Sequence, residues 1–271
     1  MGGGPGRVLK ILYLGDIVSK AGIGAVREAL PRLIEQHGVD GVVAQAENVS
    51  GGRGMTLADM RVLQNAGIDA FTGGNWSLYQ EELLPLLKDH GQPVCGPANY
   101  LPQARPGYKY VRLRGGAKIM VVSLLGQIIS RQAEGTTDPL QRIEEILAVR
   151  EADVAATVVN FHGDFSSEKR MIGYFLDGRA SLVVGDHWHV PTADEIVLPK
   201  GTAHVTDVGM CGSLHSSLGV SLEVSLDRWR TKQPAKNVWD EDRPWQLNAV
   251  LAEINPAGLA ERISRVQEIL A

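Results

Sequence analysis

The 271-residue chain is 44% hydrophobic and 21% charged with a formal net charge of −4, a balance that excludes a disordered polymer and lacks the basic cluster of a general DNA or RNA binder. Cys95 and Cys211 stand far apart in no ligand-type spacing and read as reduced structural thiols, and the longest apolar runs, such as 119–125, are too short to span a bilayer. The opening MGGGPGR lacks both the apolar core of a signal peptide and the Ser/Thr of a myristoylation site, so the expectation is a cytoplasmic protein with no membrane or DNA partner.

Val8 to Leu14 is a β-rich run that stops at Gly15-Asp16. The spacing of Ile23, Val26, Leu30, Leu33 and Ile34 then predicts a helix over 21–36, with Gly38 as its exit. The pattern recurs. Gly41 to Ala46 runs into Glu47-Asn48, the loop SGGRG follows, and Thr56 is placed to cap a helix over 57–65. Ile68 to Thr72 runs into Gly73-Gly74-Asn75, with a helix expected from about Tyr79 to Lys88. Residues 93–107 hold four prolines and read as an irregular connection.

Tyr108 to Leu113 and Lys118 to Leu124 flank the turn RGGA and predict a hairpin. Asp138-Pro139 opens a helix through Arg150. Val154 to Phe161 is a buried strand running into His162, and Ser166 or Ser167 is placed to cap the next helix. LVVGDHWHV, 182–190, is a strand breaking at His187 and His189. Ala203 to Val208 and Gly219 to Leu226 read as further strands, and Asn255-Pro256 as the start of a terminal helix. These elements predict a single domain over 1–271, with a core at 7–226 and a C-terminal extension over 227–271 that ends in a helix.

Alternating apolar strands and helices argue for a largely parallel sheet covered on both faces, with the late strands forming a second sheet. Ligands of such sheets bind beyond the carboxyl ends of the strands. Asp16, Glu47, Asn48, Asn75, His162, His187 and His189 all fall there. Singly, an Asp after Gly is a turn residue, an Asn tolerates left-handed backbone, and a His is a satisfied core residue. Collected at five strand ends, two carboxylates, two amides and three imidazoles form the mixed O/N set suited to Mn, Fe, Zn or Co.

The series GDIVSKAG, AENVSGGRG, GGNW, NFHGDFSSEK and DGRASLVVGDHWHVPTADEIVLPKGTAHVTDVGM resembles the YmdB-like branch of the calcineurin-like metallophosphoesterases, from near residue 8 to about residue 226. The resemblance implies an α/β/β/α sandwich of two mixed sheets flanked by helices. It also implies self-association, and hydrolysis of a small phosphodiester or nucleotide substrate, 2′,3′-cyclic nucleotides among them, at two divalent or trivalent transition-metal ions, with Fe, Mn or Zn expected. By similarity, Asp16, Glu47, Asn48 and His189 hold one metal and Asn75, His162 and His187 the second, with Glu47 bridging. Two cations about 3.5–4 Å apart suit such chemistry, since they hold a phosphate oxygen and acidify water.

One position departs from the family. Relatives read Gly-Asn-His after the third strand, and that His is the expected donor to the leaving oxygen, whereas this chain reads Gly74-Asn75-Trp76. Indole is not an acid at neutral pH. The alternative to an enzyme is therefore a metal-retaining nucleotide sensor or regulatory protein. His215, on a loop after the strand ending at Asp207, is a candidate relocated donor or else an exposed histidine without a catalytic role.

The loop SGGRG either cradles phosphate or simply turns the chain after Asn48, and the turn is favoured because no P-loop pattern is complete. Asp207 is either a partner that orients a metal-bound His or a turn residue. Lys169, Arg170 and Arg179 read as solvated, and Trp229, Trp239 and Trp245 as packing a tail or subunit contact.

Overall fold

The structure, a computed structural model, describes residues 7–100, 107–127 and 135–271; part of the proline-rich connection lies outside them. Two sheets stack face to face. The first contains β1 (Leu9–Leu14), β2 (Asp16–Ile17), β3 (Gly41–Gln45), β4 (Ala70–Thr72), β11 (Met210–Ser213), β12 (Trp245–Ile254) and β13 (Ala260–Leu270). The second runs in the order β5 (Tyr108–Arg112), β6 (Lys118–Leu125), β7 (Ala156–His162), β8 (Leu182–Asp186), β10 (Ala203–Val205) and β9 (Ile196–Val197). Within it β6, β7, β8 and β10 are parallel, and the edge strands β5 and β9 are antiparallel.

Side chains two apart on a strand share a face, and this divides the core. Ile11 and Tyr13 of β1 point between the sheets, where they meet a layer that includes Val121, Val158, Leu182 and Val184. Leu12 and Leu14 point the other way, onto α1 (Ser19–His37) and α2 (Leu57–Ala66) through Leu30, Leu33 and Leu63. Across the molecule, Met120, Val122 and Val159 pack on Ile143 and Ile146 of α4 (Pro139–Ala148) and Ile172 of α5 (Ser166–Phe175). The result is the expected α/β/β/α sandwich.

Local chemistry sets the helix ends. Thr56 accepts a hydrogen bond from the Asp59 amide at 3.2 Å and so caps α2, and Asp138 caps α4 from the residue before Pro139. The cap predicted from Ser166 or Ser167 is not made: Phe165 occupies the N-cap and both serines lie within α5. The stretch expected to be one helix from Tyr79 is a 3₁₀ turn, Glu81–Leu83, followed by the short α3 (Leu84–Lys88), because Pro85 offers no amide to a preceding turn.

The C-terminal region overturns the sequence expectation. Most of the predicted strand 219–226 lies in α6 (Leu222–Thr231), and the predicted terminal helix is β13. Residues 227–271 are not appended to a finished core. β12 lies inside the first sheet, pairing with β1 over Leu9–Leu14, with β11 at Gln246 and Trp245, and with β13 along its whole length. Asn255-Pro256 is the turn of that hairpin, where Asn255 accepts hydrogen bonds from the Ala257 and Leu259 amides. The apolar positions 259, 263 and 266 are spaced as on a helix, but in β13 Ile263 packs between the sheets and Val266 on the helical side, so both faces of the strand carry apolar residues.

Candidate metal centre

β1, β3, β4, β7 and β8 all deliver their carboxyl ends to one edge of the sandwich, and the seven singled-out side chains gather there in two touching groups. In the first, His162 Nε2 lies 2.9 Å from Asn75 Oδ1 and 3.2 Å from Glu47 Oε1. The His187 ring stands against His162 at 4.5 Å between centroids. Glu47, His162 and His187 bring one ligand atom each within 4.8 Å of one another. In the second, His189 Nε2 lies 3.3 Å from Asn48 Oδ1 and 3.7 Å from Asp16 Oδ1.

Hydrogen bonds behind the cluster fix which nitrogen of two of the three rings faces it, while His187 Nε2 lies 3.0 Å from Asp164 Oδ1. His189 donates from Nδ1 to the Leu218 carbonyl at 3.0 Å, and His162 directs Nδ1 at Asp186 Oδ1 at 2.6 Å. Both Nε2 atoms therefore look into the site. Asn48 donates its amide nitrogen to the Gly52 carbonyl, which leaves its oxygen facing His189 Nε2. A neutral imidazole lone pair opposite an amide oxygen is repulsive unless a cation lies between them.

Asp16 adds a second sign. It is fully buried, and its Oδ1 has no hydrogen-bond partner among the described residues. Burial, reinforced by the neighbouring carboxylate of Asp186, holds its carboxyl well above the usual range. His162 is opposed by burial, yet Glu47 and Asp186 beside it raise its pKa well above the ordinary value. Burial pushes His187 down to about 4 and also lowers His189. Oxygen-rich, proton-hungry and supplied with neutral imidazoles, the donor set fits transition-metal cations.

Backbone geometry makes the gathering possible. Gly74 presses so close that a Cβ there would collide with the Glu47 carboxylate and the His162 ring. Glu47 Oε2 accepts the Trp76 amide at 2.9 Å, which ties the third strand end to the second. His187 and His189 sit at φ +97° and +62°, conformations uncommon for residues with a Cβ. They are held there by hydrogen bonds from the His187 amide to Asp16, from the Trp188 amide to Asp207, and from the Trp188 indole to the Asp164 carbonyl.

Several contributors escaped sequence reasoning. Asp186 is fully buried and accepts from His162, from Gln45 at 2.8 Å and from Asn160, with the Tyr13 hydroxyl at 3.4 Å. Its signal was an acid inside an apolar strand directly before an H-x-H pair. Lys169, expected on a solvated face, is completely buried. Its Nζ pairs with Asp207 at 2.8 Å and lies 3.9 Å from the centre of the Trp188 ring. Asp207 is thus a brace for the H-x-H turn. Arg170 and Arg179 do lie at the surface, paired with Asp194 and Glu144.

Trp76, at the expected donor position, and His215, the candidate relocated donor, occupy different settings. Trp76 is half-buried, with Arg53 stacked 4.4 Å from its ring centre and Tyr79 edge-on at 5.7 Å. His215 is exposed; its loop meets the cluster through the Leu218 carbonyl. Trp245 packs on the helical side of the first sheet, whereas Trp229 is 75% exposed. No helix among the described residues is long and apolar enough to cross a membrane.

A family model described as YmdB-like protein matches residues 12–266. The chain is 32% identical to a 2′,3′-cyclic-nucleotide 2′-phosphodiesterase of Bacillus subtilis over 95% of this chain and 96% of that one. It is likewise 32% identical to a putative phosphatase/phosphodiesterase of Mycoplasma genitalium over 75% and 73% of the two chains. The crystal structure of a novel phosphatase from Mycoplasma pneumoniae superposes with a TM-score of 0.89 at 27% identity, covering 97% of this chain and 94% of the other.

Proposed function

The chain belongs to the YmdB-like family, and from that premise we propose that it is a two-metal phosphodiesterase acting on 2′,3′-cyclic nucleotides or similar small phosphodiesters. Asp16, Glu47, Asn48 and His189 would hold one cation, and Asn75, His162 and His187 the other, with Glu47 between them. The observation that carries this reading is the facing of inward Nε2 atoms and carboxylate and amide oxygens across a buried site that leaves Asp16 Oδ1 unpartnered. When bound, such cations hold phosphate oxygens, acidify water and stabilise an in-line displacement.

The chain's own groups supply order. Asp186 and the Leu218 carbonyl fix the orientation of His162 and His189, while the Trp76 amide fixes one oxygen of Glu47. Trp76 offers no acidic proton to a leaving oxygen, so the reading favours activated leaving groups. His215, on the loop that touches His189, is the proposed donor for the others. The sensor reading is favoured by the same Trp76, and turnover separates the two.

The test pairs elemental analysis with hydrolysis of bis(p-nitrophenyl) phosphate and adenosine 2′,3′-cyclic phosphate. About two metals per chain, and turnover lost in Glu47→Gln and Asn75→Ala, are expected; fewer than about half a metal after reconstitution would overturn the two-metal reading. Trp76→His should raise the rate on the unactivated diester by on the order of 10²-fold and change p-nitrophenyl hydrolysis far less. His215→Ala should lower the rate on the unactivated diester and spare p-nitrophenyl hydrolysis; an unchanged unactivated rate rules that donor out.

A further inference from the structure

Beside the metal centre lies an open cleft of about 600 Å³, walled by the glycine loop at Gly51 and Arg53, by Tyr79, and by 234–237 with Trp239. Its volume falls within the range of pockets that hold nucleotide-sized ligands. Both of its near walls hang on the cluster. The loop bonds back through the Gly54 amide to the Glu47 carbonyl and through the Gly52 carbonyl to Asn48, and the other wall follows Asn75 through Trp76 to Tyr79.

The cleft is built rather than incidental. Gly51, Gly52 and Gly54 all have positive φ, and a Cβ at Gly52 would overlap the Trp239 ring, so the loop can pack there only without a side chain. The opposite wall is fastened by Arg228, which donates to the Ala235 carbonyl and to Asn237 Oδ1, each at 2.7 Å. The Arg53 guanidinium carbon lies 4.4 Å from the centre of the Trp76 ring and 5.7 Å from that of Tyr79. A guanidinium held by cation–π contacts, with no carboxylate partner, keeps N–H donors for an anion.

Charge points to that anion. Neither Arg53 nor Lys236 forms an ion pair with a carboxylate among the described residues, although the chain is acidic overall. Tyr79 is 52% exposed and presents a ring against which a planar base can stack. We propose that this cleft is a nucleotide subsite that takes a base against Tyr79 and a phosphate, other than the diester being cleaved, at Arg53 and Lys236. The favoured substrate is accordingly a cyclic nucleotide carrying a further phosphate. This rests on the phosphodiesterase reading of the adjacent centre.

The experiment compares the metal-loaded protein on adenosine 2′,3′-cyclic phosphate with and without a 5′-phosphate, alongside bis(p-nitrophenyl) phosphate. The 5′-phosphorylated nucleotide should show a kcat/KM about tenfold higher, mainly through KM, as expected for a charge-assisted contact. Arg53→Gln with Lys236→Gln should abolish the preference, and Tyr79→Ser should raise KM for both nucleotides while Tyr79→Phe does not. Absence of the preference, or its survival in the double variant, overturns the subsite.

Failure to hydrolyse any diester would count against the enzyme reading instead. The subsite is then read by calorimetry with adenosine 3′,5′-bisphosphate: binding lost in the double variant supports it, and binding absent or unchanged overturns it. Unaltered melting temperatures would show that the variants are folded.

Discussion

His162 and Asp16 determine how the cluster meets a cation. Burial and Asp186 raise the pKa of Asp16, Glu47 and Asp186 raise that of His162, and burial pushes His187 down to about 4. A cation must expel the protons it replaces. Metal binding should therefore release protons, and affinity should rise with pH. Titrations in buffers of different ionisation enthalpy would measure this, and a buffer-independent enthalpy would contradict it. At the same scale, Asp186→Asn removes the carboxylate that aligns His162, and a loss of about 10–100-fold in metal affinity or activity is expected.

α5 and the turn after β8 act as one unit. Lys169 reaches from the helix to Asp207, which also receives the Trp188 amide, and Trp188 sits between two residues with positive φ. Removing one member of a buried pair leaves the other charge unpaired, so Lys169→Met should destabilise the fold by about 3–5 kcal/mol. Lys169→Met with Asp207→Leu should recover part of that stability while leaving metal affinity low, because the Trp188 amide has then lost its acceptor. Denaturant melts and metal titrations on the two variants and the parent protein would separate these effects. If metal affinity returns along with stability, the brace has no role in shaping the H-x-H turn.

At the scale of the whole molecule, the last hairpin is structural. β12 pairs with β1, the strand that delivers Asp16, and with β11, which pairs with β2 at Asp16 itself. A chain ending before Trp245 would expose both strands and the apolar faces of Leu247, Val250 and Leu251, all buried in the intact protein. It should yield aggregated protein without a cooperative melt. A soluble truncated chain that still binds metal would return residues 245–270 to the status of an extension.

The sequence by itself determined an α/β chain of strands alternating with helices and put seven polar residues at strand ends, because strand–loop–helix periodicity is local; the α/β/β/α layering came from the family resemblance. It also located the Trp76 departure, since a single residue type decides whether an acid is present. Tertiary structure decided the rest. Whether 260–270 is helix or strand depended on finding β12 as a partner, and β12 is itself defined by pairing with β1, about 240 residues away in sequence. The burial of Lys169 and the service of Asp186 to His162 arise only when the ends of α5, β7 and β8 meet. A charge in isolation reads as solvated, and only its partner makes its burial affordable.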